Sequence, residues 1–361
     1  MLTLYLSLCV YDNNQMKTNI LVKIDWSCAK SAMLSHDNVF RKYSPNLEII
    51  DLNTKESDLI KMKRDDIVKI FILPQTYCTF QRINGSYCLN IIQKVKDNLT
   101  ICKVCRMKIP SIKCLLGEPQ CSEREAPRSS KCIKSGLYNS RCKVSRYHYV
   151  LLYPLDRDKV YLKVGIQRET TFPTRILEQS PFISVIYAIT PNIWKGRIVE
   201  SLSETYLEKL RGRRFQGIEI EHTSEKKKSL SKIETLIGFL RSFILPSSLD
   251  IFFNLPTSIT IINKFINIGT MIGEYLSKEF SDFALRKPII KNALEIFDFD
   301  KDCLKRASSI RILTIREKRI EISGKVVGWL GSYLLLENDE KIIVLDMRRT
   351  IGHPIEFSIK N

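Results

Sequence analysis

Between residues 147 and 168 two short apolar runs bracket a polar turn at 156–159. Tyr147-His148-Tyr149-Val150-Leu151-Leu152 leads in, and Leu162-Lys163-Val164-Gly165-Ile166 leads out. Pro173 and Arg175 follow. This order predicts strand, turn, strand, a glycine-marked bend and a helix beginning near Pro173. Further on, Ile198, Leu202, Tyr206, Leu207 and Leu210 recur at helical spacing, which predicts a helix over 198–210 with Glu200 and Glu204 on one face.

Upstream, alternating runs at 67–73 and 87–92, with a turn signal at Asn84-Gly85, predict a β-rich region. Apolar periodicity is lost over 102–146. Downstream, 231–243 carries an amphipathic helical pattern behind the basic Lys226-Lys227-Lys228, and the Asn- and Ile-rich stretch 246–290 reads as interrupted helix. Short apolar runs at 310–315, 319–322, 325–330, 333–337 and 341–345, punctuated by Gly324, Gly331 and Asn338-Asp339, predict the strands of a small barrel or sandwich. The expected class is α+β and multi-domain. Its divisions are a leader or tail over 1–15, with Met16 a second candidate start; a β-rich region over 16–100; a cysteine-rich module over 101–146; an α/β core over 147–245 with a small antiparallel sheet; a helical segment over 246–300; and a C-terminal β unit over 301–361.

Charge narrows the class of partner. The 57 Lys plus Arg against 39 Asp plus Glu give a formal +18 and a pI near 9.4, a balance that favours a polyanion, with nucleic acid, DNA or RNA, as the expected partner. Hydrophobic residues at 44% of 361 are ample for packed cores, which excludes a disordered chain. The longest apolar stretch, 251–272, is interrupted by Asn254, Pro256, Asn263, Lys264 and Asn267, so no membrane span is expected. The apolar residues 1–10 lack both a basic n-region and a small-residue cleavage site, so the chain is not expected to be exported and a cytoplasmic location follows.

Eleven cysteines without an export signal point to reduced thiols and metal ligation. Six of them fall within 102–146, among eleven Lys or Arg and three Glu, in a segment too poor in apolar residues to hold itself together. Cys102-Lys103-Val104-Cys105 has the bite with which two thiolates grip one tetrahedral zinc, and Cys114, Cys121, Cys132 and Cys142 are candidates for the other two ligands. The gaps between those four are irregular, so a cluster that has lost its metal is the alternative.

Four positions in and after the strand–turn–strand unit carry candidate chemistry, each beside a plainer role. His148 is a candidate proton-transfer group or a packed strand histidine. Gly165 permits close approach of a ligand or a structural bend. Arg175 binds a phosphate or pairs with Glu178, and Glu200 ligates Mg2+ or faces water.

Taken together, Cys114-Leu115-Leu116-Gly117-Glu118-Pro119-Gln120-Cys121, His148-Tyr149-Val150, Leu162-Lys163-Val164-Gly165-Ile166, Pro173-Thr174-Arg175, Glu178-Gln179, Gly196 with Glu200, and 324–333 followed by Arg348-Arg349 resemble the prokaryotic family called domain of unknown function 2797, over most of residues 85–355. The central unit of that family in turn resembles the GIY-YIG endonuclease module, with two tyrosine-bearing strands, a helix arginine and a metal-binding glutamate. The resemblance implies the last two roles for Arg175 and Glu200. Leu151 and Lys163 stand where the strand tyrosines fall, which leaves Tyr149 or Tyr161 as displaced substitutes, although a residue one position along a strand faces the other way. It further implies that Ser111 occupies a cysteine position, that Cys114, Cys121, Cys132 and Cys142 close one zinc-ribbon-like site, and that Cys102 and Cys105 are half of a lost one. The expected function is nucleic-acid binding with a diverged, weak or inactive phosphodiester site. An active Mg-dependent endonuclease and a zinc-containing protein-interaction scaffold are the alternatives.

Overall fold

The computed structural model describes residues 19–37, 41–93, 100–156, 158–222, 255–313, 319–339 and 341–360. The predicted leader, the basic triplet at 226–228 and the predicted helix at 231–243 lie outside them. The described residues hold seventeen strands, numbered in chain order. The first four are β1 (Asn19–Asp25), β2 (Asn46–Asp51), β3 (Ser57–Ile60) and β4 (Ile67–Ile72), followed by the short pair β5 (Thr76–Tyr77) and β6 (Ile91–Ile92). The central set is β7 (Arg146–Asp156), β8 (Lys159–Arg168), β9 (Ile183–Thr190), β10 (Arg214–Phe215), β11 (Ile218–Glu221) and β12 (Ala284–Asn292). The last are β13 (Ser309–Leu313), β14 (Ile320–Leu330), β15 (Tyr333–Asn338), β16 (Lys341–Asp346) and β17 (Pro354–Lys360).

The fold is α+β, as its sequence pattern predicts, but the strands are shared differently. Strands from both ends of the chain form one nine-stranded sheet in the order β13-β16-β15-β14-β4-β17-β1-β2-β3. The C-terminal strands therefore do not close into a barrel or sandwich of their own. The reason lies in β4, whose Val68, Ile70 and Ile72 are buried in alternation and whose two edges pair with β14 and β17, so that both neighbours gain a partner they would otherwise lack. The β14–β15 turn is tight: Gly331 has φ +62°, and a Cβ there would lie 2.2 Å from Ser180 Oγ, so the turn sits directly on the chain leaving the helix Thr174–Leu177.

The second sheet has the order β10-β11-β8-β7-β9-β12. β7 and β8 form the predicted hairpin, β9 returns antiparallel to β7, and β11 lies parallel to β8. The helix Ile193–Glu208 begins earlier than its apolar spacing predicts, because the Asn192 side chain accepts the backbone N–H of Lys195 and caps it. Its buried positions, Ile193, Gly196, Val199, Ser203 and Leu207, form one stripe against the sheet, where Tyr187 Oη and Ser203 Oγ lie 2.6 Å apart. The predicted helical segment over 246–300 holds the helix Leu255–Glu279, but it also contains β12, which joins β9 and extends the central sheet. One apolar cluster runs continuously through both sheets.

Candidate functional site

Tyr149 and Gly165 are direct partners in the β7–β8 ladder, as are Leu151 and Lys163, so these four positions share one face of the hairpin. The Tyr149 ring lies across Gly165, where a Cβ would come within 2.6 Å of ring carbons and hydroxyl. Gly165 thus makes room for a neighbouring side chain, and no bend is needed to explain it. The Tyr149 hydroxyl accepts from Gln179 Nε2 at 3.2 Å, and the same amide donates to the Arg175 carbonyl at 2.9 Å. Burial raises the phenol; Arg175 and Gln179 draw it down, while Glu200 and Glu178 push it up. Arg175 and Glu200 therefore act on one buried phenol from two different helices. Lys163 lies half-buried, its ammonium lowered by burial and then by Arg175 and Arg348. Tyr161 pairs with Tyr153 nearer the hairpin turn, its phenol raised by burial and then by Glu204.

A cavity of about 370 Å³ has Arg175 in its wall, and its lining carries six arginines, Arg141, Arg146, Arg168, Arg175, Arg197 and Arg348, against one carboxylate, Glu178. Backbone carbonyls fix several of the guanidiniums: Arg141 Nη1 donates to Leu115 O at 2.5 Å, Arg168 Nη1 to Ser140 O at 3.2 Å, Arg197 Nε to Gly117 O at 2.7 Å, and Arg146 Nη2 to the Arg141 carbonyl. Arg146 is only 3% exposed, and its Nε has no hydrogen-bond partner. Burial lowers Arg141, Arg146 and Arg168, and neighbouring guanidiniums lower them further, Arg168 acting on the first two and Arg175 on the third. Arginine stays charged in proteins, so the direction of these shifts records a crowded cationic field that an anion would relieve.

Glu200 stands behind this lining. Its Oε2 meets Arg197 Nη1 at 2.5 Å, and its side chain is 16% exposed. A lone carboxylate already held by a guanidinium, beside five further arginines, does not suit Mg2+, which calls for oxygen donors in a negative field. The Mg2+ expected at Glu200 therefore does not fit these residues. His148 is also not where proton transfer would need it. It is fully buried, one strand position from Tyr149 and so on the opposite face, with Nε2 2.9 Å from Thr190 Oγ1 and its ring 6.0 Å from that of Tyr187. Burial, then Arg146, pushes it down to about 3, so it is neutral at physiological pH.

Cys102 and Cys105 are not half of a lost site. Their sulfurs meet those of Cys78 and Cys88, all four within 4.8 Å of one another, a group that can hold a metal ion. Tetrahedral thiolate ligation at a Zn–S distance of about 2.3 Å places neighbouring sulfurs about 3.8 Å apart, and Cys88 Sγ lies 3.8 Å from Cys102 Sγ. The Cys102 N–H donates to Cys78 Sγ at 3.2 Å. Cys78 and Cys88 follow β5 and precede β6, so the site straddles the boundary expected at residue 101. Burial first, and then the neighbouring cysteines, push Cys78 up to about 11 and raise Cys105 as well. Cys114, Cys121, Cys132 and Cys142, expected to close one site, are partly buried and influence one another, burial and then Cys114 and Cys121 pushing Cys142 up to about 11, but they do not converge as a ligand group as Cys78, Cys88, Cys102 and Cys105 do.

No helix among the described residues is long and apolar enough to cross a membrane. Arg141, Arg146, Arg168, Arg197 and Arg348 were not singled out as site residues by spacing, and neither were Cys78 and Cys88. Comparison with protein-family models, curated proteins and solved structures finds no match to this chain.

Proposed function

We propose that the protein binds nucleic acid, with the arginine-lined cavity receiving phosphate, and that it does not use Glu200 for metal-assisted cleavage. The observation that carries this is the convergence of six guanidiniums on one cavity in a chain of net charge +18. The antiparallel β7–β8 hairpin followed by a helix that carries Arg175, and the later helix that carries Glu200, agree with the GIY-YIG-like reading of the core. Against hydrolysis stand Leu151 and Lys163 at the strand positions, a Tyr149 hydroxyl sealed beneath Gln179, and Glu200 held by Arg197. Arg175 and its neighbours then hold charge without moving a proton. Zinc is the metal we assign to Cys78, Cys88, Cys102 and Cys105, because four thiolates at this spacing suit its tetrahedral preference. No metal is assigned to Cys114, Cys121, Cys132 and Cys142, because the sulfurs that converge among the described residues are those of Cys78, Cys88, Cys102 and Cys105.

Gel-shift titration with DNA and RNA at two salt concentrations tests the binding claim. Affinity is expected to fall steeply with salt, with a log–log slope of about −0.7 to −0.9 per phosphate neutralised. Arg168→Ala is expected to weaken binding to all sequences and to reduce that slope by about one. Salt-independent binding, or none, overturns the proposal, and Mg2+-dependent cleavage that is lost in Glu200→Ala overturns its second half.

A further inference from the structure

The lining of the cavity is graded in depth. Arg175 is exposed, whereas Arg146 is 3% exposed with an unpartnered Nε. The walls come from separate parts of the chain: Leu115, Leu116 and Gly117 at the end of the short helix Ile112–Leu115, Ile166 to Arg168 on β8, and Ile193 and Arg197 at the start of the helix Ile193–Glu208. A volume of about 370 Å³ falls in the range of pockets that enclose a small molecule, roughly 300–1,000 Å³. A phosphate in the middle of a strand carries a sugar on each side and a single charge, so it offers fewer free oxygens and less charge to a donor as buried as the Arg146 Nε. A phosphomonoester has one substituent, a charge of about −1.5 to −2 and three terminal acceptor oxygens. Only the second matches a deep donor surrounded by guanidiniums already fixed to backbone carbonyls.

We propose that this cavity is a pocket for a terminal phosphomonoester, taking the phosphorylated end of a nucleic-acid strand, with Arg146 at its floor and Arg175 at its rim. The proposal rests on the nucleic-acid reading above. Leu115, Leu116, Ile166 and Ile193 supply apolar wall for the terminal sugar or base. Arg141, Arg168, Arg197 and Arg348 supply the remaining donors, and Glu200 steadies Arg197. The pocket recognises chemistry that a free mononucleotide shares with a strand end, so the test separates the two sources.

Fluorescence anisotropy would compare one single-stranded oligonucleotide with a 5′-phosphate, a 3′-phosphate, hydroxyls at both ends, and closed as a circle, with a free mononucleotide as competitor. The strand phosphorylated at the preferred end is expected to bind at least tenfold tighter than the hydroxyl-ended and circular forms. In Arg146→Gln that ratio is expected to fall toward one, and in Arg146→Lys, which keeps the charge, to recover in part; circular dichroism reports whether each variant is folded. Equal, salt-sensitive binding of phosphorylated, hydroxyl-ended and circular strands would overturn the end pocket while leaving nucleic-acid binding intact. Tight binding of the mononucleotide with no strand bound would support the phosphomonoester pocket and overturn the nucleic-acid source. Binding of neither would overturn both.

Discussion

The central sheet and the cysteine-rich shoulder beside it are adjacent in sequence and opposite in construction. Along β7, Tyr147, Tyr149, Val150, Leu151, Leu152 and Tyr153 are all buried. Between Leu115 and Leu137 no hydrophobic side chain is buried at all. The sheet is ordered by removing aliphatic surface from water, at about 25 cal/mol per Å². The shoulder has only a small apolar cluster, Phe80, Ile101, Ile109, Leu115 and Leu137 around the buried cysteines, and depends also on sulfur and on polar ties to its neighbour: Trp194 Nε1 donates to the Cys121 carbonyl at 2.7 Å, Asn192 Nδ2 to Glu123 Oε1 at 2.7 Å, and Arg197 Nε to the Gly117 carbonyl. The cavity lies on the seam, with Leu116, Gly117 and Arg141 on the shoulder side and Gln167, Arg168 and Arg197 on the other. The charged site is thus shaped in part by the region least able to hold itself by packing.

The sharpest way to break this contrast is to remove metal. Cys105→Ser, or a strong chelator, is expected to abolish hydrogen-exchange protection over residues 76–142 while leaving β7, β9 and the nine-stranded sheet protected; zinc binding to small domains is worth on the order of 10 kcal/mol. Equal loss of protection in both regions would show that the shoulder is not held separately. The complementary change is Phe265→Ala in the core, where Phe265 is fully buried and lies edge-on to Phe182 at 5.6 Å. It is expected to cost about 3–5 kcal/mol in denaturant unfolding without altering zinc content. An effect that is absent at neutral pH and grows only on acidification belongs to His148. Its folded pKa of about 3 lies below the ordinary 6.5, so the unfolded chain takes up the proton first. Stability is then whole above pH 6.5 and falls by up to about 1.4 kcal/mol per pH unit toward pH 3. His148→Gln is expected to flatten that part of the pH–stability curve, and an unchanged slope would remove His148 as its source.

The elements legible in the sequence were those with local periodicity. The β7–β8 hairpin followed from two apolar runs and a polar turn, and a helix near 198–210 from apolar spacing; but that spacing misplaced the buried face, since Ile198 and Leu202 are exposed and the stripe that packs is Ile193, Gly196, Val199, Ser203 and Leu207, and the start was marked by Asn192. The pairing of β4 with β14 and β17 joins residues some 250 to 290 positions apart, for example Val68 with Gly324 and Ile67 with Lys360, and no short-range pattern encodes it. Cys78 and Cys88 escaped because they sit in strand-like surroundings, upstream of the change in composition that drew attention to 102–146. The available signal was the C-x2-C pair itself, which needs two further thiolates from somewhere. Arg141 and Arg146 looked like solvated charge in a basic segment; the hint was that Arg146 opens a strand whose following residues are almost all apolar.

Strand β17 lies between β4 and β1. A ribosome delivers β1 and β4, which ends at Ile72, long before β17, which begins at Pro354, so the earlier strands emerge with an open slot and must wait, unpaired along that edge, until β17 has been made. Deleting β17 would therefore injure β1 and β4, its neighbours on either side, more than the strands that lie near it in sequence.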